Sequence, residues 1–196
     1  MSILALTSDT LIGTPATGNL EYNGQFFGTD SAGSRAQLQR ITRSTLVTCA
    51  GQTSIDFTSI PAWVERITVM FQGVSVSGTS NFLIQIGDSG GFENTGYVSG
   101  SFDNSTASNS TIGFIASSQQ IATATWGGAI TISNLSGNVW VSSGTIASGT
   151  AGYLASSGGA KTLTDVLDRV RITTVNGTDT FDTTPSAGTI NIIYEG

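Results

Sequence analysis

Hydrophobic and polar residues alternate along short runs of this chain from residue 49 onward. Alternation with a period of two indicates β-strands with one buried face. The runs are residues 66–71, 81–86, 96–98, 111–115, 129–133, 138–142, 144–146, 169–175, 178–181 and 189–194. About eight to ten strands in about 150 residues is the size of a jelly-roll sandwich. We therefore predict an all-β fold, a jelly-roll-like antiparallel β-sandwich over residues 45–196.

Turn signals separate these runs. Asn176–Gly177 is the strongest two-residue hairpin signal in the chain and predicts a hairpin between the two runs that flank it. Ser143–Gly144 predicts a second tight turn. Hydrophobic residues recur at helical intervals only in residues 161–169, which predicts one short helical turn there.

Residues 1–44 differ from the rest, because they contain too few hydrophobic residues to form a core of their own. An Asn23–Gly24 turn signal between aromatic residues predicts a small hairpin. We interpret the segment as an extended N-terminal arm or adaptor that docks onto a partner or contacts other copies of the chain. The residues expected to make these contacts are Tyr22, Phe26, Phe27, Arg35 and Arg40.

Composition supports a β-rich fold and excludes some partners. Charged residues make up 10% of the chain, against roughly 25% in an ordinary soluble domain. Surface polarity therefore comes from Ser, Thr, Asn and Gln. Of these, Thr favours strands, and Ser and Asn favour turns. The net charge is −6 and no stretch is rich in Lys and Arg, so no nucleic-acid partner is expected. Neither a membrane-inserting segment nor a signal peptide is expected, since the apolar start at residues 1–6 is too short.

One short motif matches a known enzyme signature. Residues 87–91 spell Gly-Asp-Ser-Gly-Gly, the nucleophile signature of trypsin-like proteases. Activating that serine requires a His base, and the chain has no His. The single Cys49 cannot form an internal disulfide, and we expect it to be a small buried hydrophobe. We therefore expect no catalytic residue, no cofactor and no metal site.

Glycan chemistry has two candidate forms in this sequence. Paired carboxylates hydrolyse glycans in many glycosidases, and the candidate pairs are Asp88 with Glu93, Asp165 with Asp168, and Asp179 with Asp182. Tryptophan side chains on loops can stack on sugar rings. Trp126 lies between polar and glycine residues and is the candidate for glycan contact, whereas Trp63 and Trp140 are interpreted as core residues.

Residues 55–100, beginning IDFTSIPAWVERITVMFQGVSVSG, resemble a domain that is common in tail-fibre and other structural proteins of tailed bacteriophages. Residues 169–195, with the strings RITTV, NGTDTF and AGTINIIYE, are similar to the end of that domain. Residues 18–28 (GNLEYNGQFFG) resemble a short connector placed before phage fibre tips. The resemblance implies a virion protein, and the family has no defined catalytic residues.

These observations lead to one main hypothesis and several alternatives. We expect a non-enzymatic component of a bacteriophage virion, made in the host cytoplasm. It is expected to be a tail fibre or receptor-binding tip that assembles as a homo-oligomer, a trimer, on other virion proteins and contacts the host surface. The alternatives are a head-decoration, cement or head-fibre protein on the capsid, a module that binds host surface polysaccharide, and a carboxylate glycosidase.

Overall fold

A computed structural model of the protein describes residues 10, 13–14, 16–23, 25–184 and 187–196. The chain divides into two compact units, Met1–Arg40 and Ile41–Gly196. Residues 1–6, interpreted above as too short for a signal core, lie outside the described residues. The division falls earlier than the boundary predicted after residue 44, because Ile41–Arg43 forms a strand of the second unit.

The first unit contains a three-stranded antiparallel sheet. Its strands are β1 (Leu20–Tyr22), β2 (Phe26–Thr29) and β3 (Arg35–Gln37), in the order β1-β2-β3. Tyr22 pairs with Phe26 across the first turn, which confirms the predicted hairpin. The Arg35 guanidinium donates hydrogen bonds of 2.7 and 3.1 Å to the Glu21 carboxylate. The part of the chain predicted as an extended arm therefore has a small sheet of its own.

The second unit is built from antiparallel strands. They are β4 (Ile41–Arg43), β5 (Val47–Thr48), β6 (Ile55–Phe57), β7 (Arg66–Val74), β8 (Phe82–Asp88), β9 (Gly91–Phe92), β10 (Val98–Asp103), β11 (Thr106–Ser110), β12 (Phe114–Ile115), β13 (Trp126–Ser136), β14 (Val139–Ser148), β15 (Tyr153–Thr162), β16 (Arg169–Thr174) and β17 (Thr189–Glu195).

These strands form two separate sheets. The larger sheet has the order β11-β10-β15-β14-β13-β7-β17-β4, and β5 also pairs with β17. The smaller sheet has the order β12-β8-β16-β6, and β9 pairs with β8. The predicted all-β antiparallel fold is confirmed, whereas the jelly-roll connectivity in particular stays a prediction.

The core lies between the two sheets. Alternate residues of β7, Ile67, Val69 and Phe71, point into it, as do Ile84 and Ile86 of β8. Cys49 is buried at its edge as expected, and burial raises the pKa of its thiol to about 12. Each such apolar side chain contributes about 1.5–3 kcal/mol by leaving water.

Three local predictions were wrong. The described residues form no helix, and residues 163–168 are an irregular connection into β16. Gly144 lies inside the continuous strand β14, where a Cβ would approach the Ala129 carbonyl oxygen to 2.6 Å. The glycine thus permits close strand packing and not a turn. The Asn176–Gly177 turn forms, but the following residues form no strand, and Phe181 makes only an isolated bridge to Val76.

Gly159 should be intolerant of a side chain for the same reason as Gly144. A Cβ at position 159 would lie 2.5 Å from the carbonyl oxygen of Val98 and 3.0 Å from the Phe114 ring. We expect Gly159→Ala to lower the free energy of unfolding by about 1–3 kcal/mol, as measured by urea denaturation. Gly149→Ala is the control, since a Cβ there meets nothing within 4 Å. Equal losses in the two variants would contradict this packing argument.

Candidate functional site

The outward side of the larger sheet carries no charge over five neighbouring strands. Residues directly opposite one another form rows across β11, β10, β15, β14 and β13. We call this surface the outer face. Its members are Ala107 and Asn109, Val98, Gly100 and Phe102, Leu154, Ser156, Gly158 and Ala160, Val141, Ser143, Thr145 and Ala147, and Ala129, Thr131 and Ser133. The next strand, β7, brings the first charge, because Ser133 pairs with Arg66.

The outward direction of the outer face follows from the residues that alternate with it along β10, β13 and β14, because most of those residues are buried. In β10 the burial pattern alternates along every residue, with Val98, Gly100 and Phe102 exposed. In β14 and β13 the residues between the outward positions, such as Ile146 and Ile132, are buried in the core. Five strands spaced at 4.8 Å make the surface about 20 Å wide.

Large apolar side chains are exposed on the outer face. The exposed fractions are 74% for Val98, 52% for Phe102 and 57% for Leu154. Phe102 pairs with Ala107 on one side and with Ser156 on the other, so it lies diagonally next to Leu154. Clusters of exposed apolar residues on a sheet mark interaction surfaces.

Two glycines face each other between these apolar residues. Gly100 pairs with Gly158, and the two leave a strip without side chains. A Cβ at Gly100 would meet nothing closer than 3.7 Å, so packing within the chain does not require glycine there. Glycine in a strand interior costs about 0.5–1 kcal/mol relative to alanine. Such a position is typical of a site where another backbone approaches closely.

The predicted contact residues of the first unit are partly brought together. Tyr22, Phe26 and Arg40 line one groove together with Leu38. The Tyr22 and Phe26 rings lie 5.0 Å apart. Phe27 follows Phe26 in β2 and so points to the opposite face of the small sheet, and Arg35 is held by Glu21. The docking role of these residues stays a prediction.

Trp126, the residue predicted for glycan contact, is not exposed. Its side chain is fully buried, with its ring 6.4 Å from both Phe82 and Tyr153. The glycines after it indicated a loop, but they form an irregularity in the pairing of β13 with β7. The expectation of an exposed Trp126 was therefore wrong. Trp140 is buried as predicted, and Trp63 is partly buried against the core.

The Gly-Asp-Ser-Gly-Gly motif makes the turn from β8 to β9 and supports a polar cluster. The Asp88 carboxylate accepts a 2.8 Å hydrogen bond from the Gly90 amide. The Thr164 hydroxyl lies 2.7 Å from Asp88 Oδ2 and 2.9 Å from Glu93 Oε1. Glu93 also forms an ion pair with the buried Lys161. The structure therefore brings together one of the predicted carboxylate pairs.

Both carboxylates of this cluster are stabilised in their charged form. The hydroxyl of Thr164 and the amide of Gly90 lower the pKa of Asp88. Burial acts to raise the pKa of Glu93, but hydrogen bonds from Lys161 and Thr164 outweigh it and the pKa is lowered. A glycosidase acid needs a raised pKa. The cluster has the properties of a structural ion pair.

The other two predicted carboxylate pairs are engaged locally. Asp165 accepts a hydrogen bond from the Val166 amide, and Asp168 binds Arg169 next to it in the chain. Asp179 accepts from the Ser80 amide, whereas Asp182 accepts from the Ser75 hydroxyl. Neither pair acts on a common group.

Comparison with protein-family models, curated proteins and solved structures finds no match to this chain. Within the described residues, three or more His, Cys, Asp or Glu side chains never gather in a way that could hold a metal. The same residues contain no helix with the length and hydrophobicity that crossing a bilayer requires. We therefore take the uncharged outer face as the candidate functional site.

The Lys161–Glu93 pair should contribute more to stability than an exposed pair. The Lys161 side chain is only 6% exposed, whereas that of Arg66 in its pair with Glu195 is 50% exposed. We expect Lys161→Met to lower the free energy of unfolding by about 3 kcal/mol, because Glu93 would be left without its counter-ion. Arg66→Met should cost clearly less, because water screens an exposed ion pair. Thermal and urea unfolding of both variants tests this, and a loss for Lys161→Met no larger than for Arg66→Met would count against it.

Proposed function

We propose that the protein is a non-enzymatic structural subunit of a tailed-bacteriophage virion, a tail fibre or receptor-binding tip that assembles as a homo-oligomer. The observation that carries this proposal is the uncharged outer face on a chain whose net charge is −6. Copies of an acidic chain repel one another. Contact through an uncharged sheet face avoids both this repulsion and the cost of removing charges from water.

We expect the homo-oligomer to be a trimer. Three copies related by a closed three-fold symmetry would turn their outer faces toward a common axis. The strip formed by Gly100 and Gly158 would then allow the backbones to approach closely near the axis. The exposed side chains of Val98, Phe102 and Leu154 would be removed from water in the same contact.

The chemistry of the chain supports a non-enzymatic role. The sequence has no His, and the one carboxylate pair that the fold assembles, Asp88 with Glu93, has lowered pKa values. Trp126 is buried and so does not present its ring for stacking on a sugar. A substitution of Trp126 would disturb the core and would not test host recognition.

A lysine in the centre of the outer face should prevent assembly. We expect the wild-type chain to have a mass near 60 kDa by light scattering, three times the 20.1 kDa of one chain. Thr145 is exposed in β14 and faces Ser156, so Thr145→Lys should leave the fold intact and shift the mass toward 20.1 kDa. Val166→Lys is the control, because it adds the same charge on an exposed connection outside the sheets.

An uncharged variant separates steric from electrostatic effects. Gly100→Val fills the strip between the apolar residues and has room for its Cβ within the chain, so it should also reduce assembly. A wild-type chain that stays at 20.1 kDa at high concentration would overturn the proposed self-association. An unchanged mass in both Thr145→Lys and Gly100→Val would show that the contact uses another surface.

Removal of the first unit should leave the assembly intact. A chain of residues 41–196 keeps β4 paired with β17, and the outer face lies entirely within it. We therefore expect this chain to keep a mass of about three subunits, with the first unit serving to dock the assembly on the particle. Loss of assembly in the shortened chain would place the contacts in residues 1–40. A monomeric wild-type chain would instead favour the alternative, a head-decoration or cement protein ordered by the capsid lattice.

A further inference from the structure

Strand β10 has a polar row on its buried side. Ser99, Ser101 and Asp103 are buried, whereas the residues that alternate with them, Val98, Gly100 and Phe102, are exposed. The polar row faces residues 114–120, since the Ile115 amide donates a 2.8 Å hydrogen bond to the Ser99 hydroxyl. This is the reverse of the usual arrangement, in which apolar side chains of a strand face the core.

Asp103 is the most demanding member of this row. Asp103 is fully buried. Its Oδ2 accepts hydrogen bonds from the backbone amides of Ser118 (2.8 Å) and Gln119 (2.9 Å). Oδ1 has no hydrogen-bond partner, and none of the ion pairs of the described residues includes Asp103. A buried carboxylate in this state carries a large desolvation cost unless something compensates it. Burial raises the pKa of this carboxyl, although the two amides act in the opposite direction.

More unpartnered oxygens lie in the two segments that Asp103 holds together. They are buried and lack hydrogen bonds: Ser101 Oγ, Ser118 Oγ, Gln119 Oε1 and Gln120 Oε1. The side-chain amide orientation of Gln120 is fixed, because its Nε2 donates a 3.1 Å hydrogen bond to the Ile121 carbonyl oxygen. Of the eight buried side-chain atoms without a partner among the described residues, five are therefore oxygens of residues 101–120.

The set has too few donors to satisfy itself. A carboxylate oxygen and two amide oxygens can only accept hydrogen bonds, and the two serine hydroxyls supply one proton each. A proton on Asp103 would add one donor, and a water molecule would add two. A hard cation, in contrast, binds several such oxygens at once and also neutralises the carboxylate.

We propose that Asp103, with the side-chain oxygens of Ser118 and Gln119, forms a cation site that takes Ca²⁺. The two backbone hydrogen bonds to Oδ2 hold the carboxylate against the backbone of residues 118 and 119, and they leave Oδ1 without a hydrogen-bond partner. Because the number of charged ligands tunes Ca²⁺ affinity, we expect a shell with one carboxylate to bind weakly, with a dissociation constant of about 10⁻⁴–10⁻³ M. Because β10 and residues 118–119 would both supply ligands, the ion would tie these two segments together.

Thermal unfolding of the full chain, first treated with chelator and then titrated with CaCl₂, tests the site. Wild type should gain about 3–8 °C in Tm at about 10 mM CaCl₂, with a saturable dependence on concentration. Asp103→Asn keeps an oxygen for the two amides but removes the charge, and it should lose the response. Asp165→Asn is the matched control, because it makes the same charge change at an exposed position and should respond as wild type does.

A second variant and a direct measurement keep the test decisive if Asp103→Asn fails to fold. Ser118→Ala removes one ligand oxygen while leaving the amide that binds Asp103, and it should raise the CaCl₂ midpoint about threefold to tenfold. Isothermal titration calorimetry of wild type should show one Ca²⁺ per chain. No saturable binding by wild type would overturn the site and leave the oxygens to water. An equal response of wild type and Asp103→Asn would also overturn it, since the ion would then bind elsewhere on the acidic chain.

Discussion

The packing of aromatic rings around Phe82 is the contact on which the second unit depends. Phe82 opens β8 of the smaller sheet, and its ring lies 6.0 Å from Phe71 in β7 and 6.4 Å from Trp126 in β13 of the larger sheet. Phe181 stacks on the same ring at 6.3 Å. Such aromatic pairs add about 0.5–1.5 kcal/mol each beyond the burial of their area. One buried ring therefore joins both sheets and fixes which residues of β7 and β13 point inward.

The outward residues follow from this orientation, but their chemistry does not. In a β-strand the side chains alternate between faces, so fixing the inward set also fixes the outward set. The core places no demand on the outward set beyond solubility, and charged residues are the usual choice there. Elsewhere the second unit uses them, as in the pairs of Arg66 with Glu195 and Arg171 with Asp56. Their absence from the outer face, over β11, β10, β15, β14 and β13, is thus a property of the surface itself, and the proposed contact with another copy would account for it.

The strand pattern could be predicted from the sequence where alternation directly reflects burial, as it does in β7. The continuity of β14 and the burial of Trp126 could not be predicted. In both places glycine indicated a turn or a loop, whereas Gly144 and the glycines after Trp126 permit close packing between strands. The outer face escaped prediction as well, because a small uncharged residue is equally compatible with a core, an interface or a solvated strand. Only the register between distant strands shows that these residues share one surface.

Strand β10 buries its polar side chains and exposes its apolar ones. This inversion connects the proposed cation site with the proposed contact between copies. A shift of the β10 register by one residue would bury Val98 and Phe102 and expose Asp103. For an isolated chain, the transfer free energy of these side chains would favour that shift by several kcal/mol. The observed register instead places Asp103 where two backbone amides hold its carboxylate. A cation on the inner side would lower the cost of burying that carboxylate, and a second copy on the outer side would remove Phe102 and Val98 from water. Each proposed contact would stabilise the register that the other requires, so binding on the two sides of β10 should be cooperative.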